Sequence, residues 1–292
     1  MARLVDSENR NDAQWILDDG DVDLAIRQIS NSDIQRLIID GLSDFGIGNL
    51  DFLRELPNLK YLSVWSKAPI DVTAIGACSY LEELSLDDQI SIGLDLTCLR
   101  NLRDLRLIIS KHQPLLVGNM PSMESLWIWK SGESDMTCLK SFPNLETLGI
   151  FEAKKLASLK GISNCSKLKR LDVGYCPLLS DTTELKTLSY LEHVELLSLK
   201  RLLSFVGDLP ESSLKKLIVK GLPPISSASV FLRFLSIELL TLVNTEVLDG
   251  DLSPLVQIQS LKHCHIRPNK TQYQPKASDL YDLIKTKGAV AY

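Results

Sequence analysis

Residues 168–179 read LKRLDVGYCPLL. Leu168, Leu171, Val173, Cys176 and Leu179 are apolar, and the two central ones are spaced by two. In a strand, alternate side chains point to opposite faces, so Leu171 and Val173 take one side and Arg170, Asp172 and Gly174 the other. Twenty-three residues earlier stands LETLGI (145–150), and 23 residues later LEHVEL (191–196). Self-similarity at such a period is the signature of a repeat architecture.

The same six-residue fragment, apolar at positions 1, 4 and 6, begins at Ile34, Leu59, Leu81, Leu102, Met123, Leu145, Leu168, Leu191, Leu214, Ile237 and Leu261, in steps of 21–25 residues. Further apolar anchors lie three residues before most starts (Leu56, Cys78, Leu99, Phe142, Cys165) and six before (Leu53, Ile75, Leu96, Leu139, Ile162). From the second unit on, only the unit at Leu214 breaks step, its anchors Val206 and Leu209 being displaced by two. A unit of one short strand and a return segment cannot bury its own apolar face. Stacked units share one continuous core, with the strands parallel and side by side.

LKRLDVGYCPLL resembles the leucine-rich repeat signature LxxLxLxxN/CxL, and the likeness covers about residues 34–268. The resemblance implies an α/β-type solenoid: a leucine-rich repeat horseshoe with about eleven parallel strands on the concave face. The short units with an upstream LxxL look like the short-repeat, irregular variety, whose convex side is mostly extended or 3-10; GDLPESSLKKL is similar to a longer variant. The departure is at the ninth position, where the family usually has Asn and this chain has Leu42, Lys67, Gln89, Ser110, Ser131, Ala153, Cys176, Leu199, Leu222, Thr245 and Asn269. Without an asparagine ladder, those backbone amides need other partners.

Terminal repeats need covers. The expected organisation is an N-terminal cap over 1–31, partly helical, a repeat solenoid over 32–268, and a C-terminal capping segment over 269–292. In the last, Ser278 precedes DLYDLIKTKG, a helix start with Leu280, Leu283 and Ile284 at core spacing and Gly288 as stop.

The register lists what faces outward. Trp65, Trp127 and Trp129 fall in outward columns with Tyr61 and Phe151, and Tyr175 follows one step on. Glu83, Asp87, Arg106, Arg170 and Asp172 surround them. Aromatics ringed by charge are the usual anatomy of a protein interface, and exposed aromatic patches are rarely idle. The other reading is that tryptophans on a sheet stack on one another without a partner.

The 292 residues are 45% hydrophobic and 24% charged, with net charge −5. That balance weighs against a nucleic-acid partner. Residues 1–50 hold ten acids and four bases, a solvated cap or a docking surface. There is no signal-peptide-like start and no 18-residue apolar run, so no membrane segment is expected. Six cysteines without CxxC spacing point to reduced thiols and a cytoplasmic location.

Catalytic chemistry finds no footing. Cys264 occupies an inward position, so His263, Cys264 and His265 cannot converge on a metal. Cys176 packs inward. GLSDFGIGN (41–49) lacks nucleotide-loop spacing, Asp87 and Asp88 point different ways, and Glu195 and His193 share a face without a nucleophile to complete a triad. The expectation is a non-enzyme with no cofactor and no metal: a monomeric, protein-binding solenoid gripping a folded partner on its concave face. An inhibitor or toxin-immunity use of the family is the leading expectation. The alternatives are a recognition or sensor segment of a larger immune-type receptor, or a phosphatase-type regulatory subunit. The repeats around LKGISNCSKLKRLDVGYC look like those of plant immune receptors, whereas the starting methionine and acidic cap favour a free-standing chain.

Overall fold

In a computed structural model of the chain, residues 2–5, 14–17, 27, 34–39, 49–66, 69–87, 90–92, 94–109 and 118–287 are described. They form two compact units, Met1–Lys130 and Ser131–Tyr292.

The first unit carries β1 (Ala2–Val5), β2 (Gln14–Leu17), β3 (Arg36–Ile39), β4 (Tyr61–Val64), β5 (Ile70–Asp71), β6 (Glu83–Leu86), β7 (Ile90–Ile92), β8 (Asp104–Ile108) and β9 (Ser125–Trp129). Its main sheet runs β1-β2-β3-β4-β6-β8-β9, parallel except for the antiparallel β1–β2 pair. β5 and β7 pair separately on the return segments. The second unit carries β10 (Thr147–Phe151), β11 (Arg170–Gly174), β12 (His193–Leu197), β13 (Lys216–Lys220), β14 (Leu239–Val243) and β15 (His263–Arg267), parallel in sequence order.

Each of the eleven strands β3, β4, β6 and β8–β15, leaving out β7, begins at the third position of a repeat fragment. Every fragment's positions 1, 4 and 6 are buried, from Ile34, Leu37 and Ile39 to Leu261, Cys264 and Ile266. The upstream anchors Leu53, Leu139, Ile162, Leu185, Phe231 and Leu255 are buried on the return side. Truncating one such side chain to alanine would cost about 2–5 kcal/mol. The return segments are short 3-10 helices, such as Asp51–Glu55, Thr137–Ser141 and Thr183–Thr187. The displaced anchors of the Leu214 unit, Val206 and Leu209, are buried around the 3-10 turn Val206–Asp208. The last return segment is instead a single α-helical turn, Ser253–Gln257, with Pro254 at its start, where a missing N–H is harmless.

Two devices secure the turns. Asp71, Asp95, Asp135, Asp181 and Asp251 each accept the backbone N–H of a Thr or Ser two residues on, at 2.8–3.1 Å. This Asp-x-Thr/Ser turn leads the chain into the return segment. At the other end of the strands, Glu152 (φ 56°), Tyr175 (φ 57°), Ser198 (φ 52°) and Asn244 (φ 50°) are left-handed without being glycine. Each pays for that conformation, about 1–2 kcal/mol, with a backbone bond to the next repeat: Tyr175 N–H to the Leu197 carbonyl at 2.8 Å, for example, and Asn244 N–H to that of Arg267 at 2.8 Å.

The ninth position shows what stands in for asparagine. Leu222 N–H donates to Thr245 Oγ1 at 3.1 Å, from one repeat to the next. Ala153 N–H reaches the Cys176 thiol in the same way. Residues 42, 67, 89 and 110 of this column lie outside the described residues.

At the chain ends, β2 extends the parallel ladder past β3, and β1 adds an antiparallel strand. Of the expected helical part of the cap only Arg27 is described, and it is helical. The C-terminal helix is Leu280–Lys287, and it buries Leu280 and Ile284. Leu283, expected in its core face, is 38% exposed, because it stands on the flank of this short helix. Among the described residues no helix is long and apolar enough to cross a membrane.

Candidate functional site

The open face of the first unit's sheet carries most of the expected aromatics. Tyr61, at the head of β4, lies under the Arg36 guanidinium, 4.1 Å from ring centroid to Cζ. Trp65 follows the same strand and is 49% exposed, its indole N–H donating to Ser63 Oγ at 2.9 Å. On β9, Trp127 repeats the device: its N–H donates to Ser125 Oγ at 3.1 Å. In both, a serine two residues back shares the face and draws the indole down along its own strand.

Trp127 and Trp129 also stack on each other, centroids 6.3 Å apart and planes 21° off parallel. Arg106 is the direct neighbour of Trp127 across the β8–β9 ladder and pairs with Asp104 at 3.3 Å. Trp65 stands three strands from Trp127, about 14 Å at ~4.8 Å per strand. The structure thus joins Trp127 and Trp129 in one stacked pair and leaves Trp65 apart from it. Glu83 is exposed between them. Asp87 accepts the Ser66 backbone N–H at 2.7 Å, so it braces a turn as well as facing outward. Asp88 lies outside the described residues.

On the second unit, Phe151, Gly174 and Leu197 are consecutive partners across β10–β12. A Cβ on Gly174 would come within 2.9 Å of the Phe151 ring and 3.2 Å of Leu197 Cβ. The glycine therefore lets the Phe151 ring lie down across the sheet and join Leu197 in an apolar strip. Tyr175, in the left-handed turn beyond, is 55% exposed.

Beside the strip lies a charged cluster. Arg170 forks onto Asp172, with Nη2 to Oδ2 at 2.7 Å and Nε to Oδ1 at 3.2 Å. Asp172 was expected among the exposed charges and is only 4% exposed, because this fork and the neighbouring strand cover it. Glu195, opposite Asp172 in the ladder, receives Lys220 Nζ at 2.9 Å. His193 shares that strand, and its imidazole is held below the ordinary histidine pKa, first by burial and then by the Arg170 charge. Asp172, His193 and Glu195 each offer one donor atom within 4.8 Å of the others.

Sequence reasoning named Asp172 for a partner and set His193 and Glu195 aside for want of a nucleophile. The signal that joins them is the parallel register, which seats Asp172 against Glu195 with His193 two places back. As expected, Cys264 points into the core between His263 and His265, which face outward. The Cys176 thiol is fully buried, and burial raises its pKa to about 11.

No family model and no curated protein matches this chain. Among solved structures, it is similar to TLR13 in its complex with ssRNA13, with 18% identity over 83% of this chain and 41% of that one, at a TM-score of 0.56. Internalin C2 (inlC2) from Listeria monocytogenes is 17% identical over 73% of this chain and 82% of its own, at a TM-score of 0.48. An internalin (inlF) from the same organism is 17% identical over 82% of each chain, at 0.40. With eleven strands in the repeat register and a likeness to TLR13 over most of its length, this chain has the leucine-rich repeat fold.

Proposed function

We propose that this chain is a protein-binding solenoid that grips a folded partner on the open face of its sheet. The observation that supports this most is the stacked Trp127–Trp129 pair beside Arg106. Tryptophan and arginine are the residue types that most often carry interface binding energy. Trp65 supplies a second anchor, and Phe151, Tyr175 and Arg170 form the corresponding patch of the second unit. A net charge of −5 works against a phosphate backbone as the ligand, so the partner is a protein rather than the single-stranded RNA named for TLR13. Within this reading the role is that of an inhibitor or toxin-immunity protein, which acts by occupying another protein's surface.

The self-stacked indoles are also what an idle sheet surface would carry, so the test must separate the two. Affinity capture from native lysate is run with wild type beside the Trp127→Ala/Trp129→Ala double variant, each checked for an unchanged melting temperature. A defined partner lost by the folded double variant supports the proposal. Unchanged capture refutes it for this anchor and moves the site to the second unit or the acidic N-terminal segment.

A further inference from the structure

We propose that Asp172, His193 and Glu195 bind a divalent metal ion of the zinc type on the open face of the second unit. This site is independent of the tryptophan anchor. Two neighbouring strands supply it: Asp172 from β11, and His193 and Glu195 from β12. Strand periodicity puts all three on one face, and the ladder seats Asp172 directly against Glu195. Their donor atoms lie within 4.8 Å of one another. Tetrahedral ligands at ~2.0–2.2 Å from zinc stand about 3.4 Å apart, so the donors would have to close by up to about 1.4 Å.

Two further observations point to a ligand. His193 Nε2 is buried and has no hydrogen-bond partner. A buried imidazole nitrogen without a partner is unfavourable, and a metal bond would relieve it. Asp172 is a carboxylate at 4% exposure, deep for a residue of this type on an open face.

The surrounding cations fit the role of outer partners that orient ligating carboxylates. Arg170 Nη2 holds Asp172 Oδ2 at 2.7 Å, and Lys220 Nζ holds Glu195 Oε1 at 2.9 Å. Glu195 has a second oxygen to offer, whereas Asp172 Oδ1 already accepts Arg170 Nε at 3.2 Å and would ligate through its other lone pair. Because these two cations share the carboxylates, the affinity is expected to be lower than that of a closed structural zinc site. The donor set selects the metal. One imidazole and two carboxylates suit zinc and its transition-metal neighbours, whereas calcium takes six to eight oxygens.

The test is calorimetric titration of zinc sulfate into the chelator-treated full chain. One ion per chain is expected, with binding weakened at least about tenfold in His193→Ala and in Glu195→Gln. Circular dichroism checks that each variant is folded, and the second stands in if the first is not. Cobalt(II) should give the visible bands of a low-symmetry site in wild type and lose them in the variants. The His263→Ala/His265→Ala variant should bind as wild type does. No binding up to millimolar zinc would overturn the proposal. So would affinity unchanged in both site variants, or affinity lost with His263 and His265.

Discussion

Gly161 offers the sharpest test of how the second unit's repeats contact one another. Its φ is +100°, and its N–H donates to Glu184 Oε2 at 2.8 Å. A Cβ there would stand 2.5 Å from the Met136 carbonyl oxygen, 2.6 Å from its carbon and 2.6 Å from Thr137 Cα. All three are backbone atoms of the preceding repeat, so no rotamer change relieves the clash. The two repeats would have to part by roughly 0.9 Å to restore ordinary contact at 3.4 Å. The left-handed conformation costs alanine about 1–2 kcal/mol, and displaced packing costs about 1–3 more. Gly161→Ala is expected to lose about 3 kcal/mol and about 6–12 °C in melting temperature. The control is Gly132→Ala in the same unit, where a Cβ meets nothing within 4 Å and φ is not positive. There alanine should be neutral, or stabilise by up to about 1 kcal/mol through the unfolded chain. The assay is urea unfolding of the full chain followed by far-ultraviolet circular dichroism. Equal midpoints for the two variants would refute the reasoning.

Further expectations follow from the turns and thiols. Thr245→Val removes the acceptor for the buried Leu222 N–H and should cost about 1–3 kcal/mol; Thr245→Asn, which restores an acceptor, should recover most of it by the same unfolding measurement. The carboxyls of Asp71, Asp95, Asp135, Asp181 and Asp251 are held below the usual aspartate range by hydrogen bonds, chiefly from Thr and Ser partners. A depressed folded-state pKa gives stability that is present above the unfolded value, about 3.9, and lost as pH falls through the folded one. Melting temperature should therefore drop below about pH 4, less steeply when Asp181 and Asp135 are replaced by Asn; an unaltered slope would count against the turns. Cys98 is exposed, while Cys78, Cys165 and Cys176 are buried with thiol pKa raised to about 11, 12 and 11. Iodoacetamide on the native chain should label Cys98 first and leave those three until it unfolds, as peptide mass spectrometry would show.

The parallel ladder was legible because burial repeats with a rule. Leu171 and Val173 must go in, so Arg170 and Asp172 must come out, and the same logic placed Trp127 and Trp129. Even the slipped unit at Leu214 was readable from Val206 and Leu209, since the core needs the anchors more than the exact spacing. The Asp-x-Thr turns were visible in DVT, DLT, DMT and DTT but carry no apolar signal, so a reading by hydrophobic period passes over them. The left-handed turns at Glu152, Tyr175 and Ser198 could not be read from residue type, because a backbone bond to the next repeat, not glycine, supports them. The burial of Asp172 was hidden for a similar reason. Alternation says which way a side chain points, not which neighbours then fold over it.

At the second fragment position the second unit's strands read Glu146, Lys169, Glu192, Lys215, Glu238 and Lys262, alternating in sign within that unit. The structure couples them in twos: Lys169 with Glu146 at 2.8 Å, Lys215 with Glu192 at 2.8 Å, and Lys262 with Glu238 at 3.0 Å. Each exposed pair contributes only about 0.2–1 kcal/mol, yet the pattern constrains how such a gene can grow. Excising or duplicating a single repeat would set two like charges side by side, whereas a doublet leaves the alternation whole. Within the second unit, an engineered deletion or duplication that keeps every one of these pairs intact is therefore expected to span two repeats.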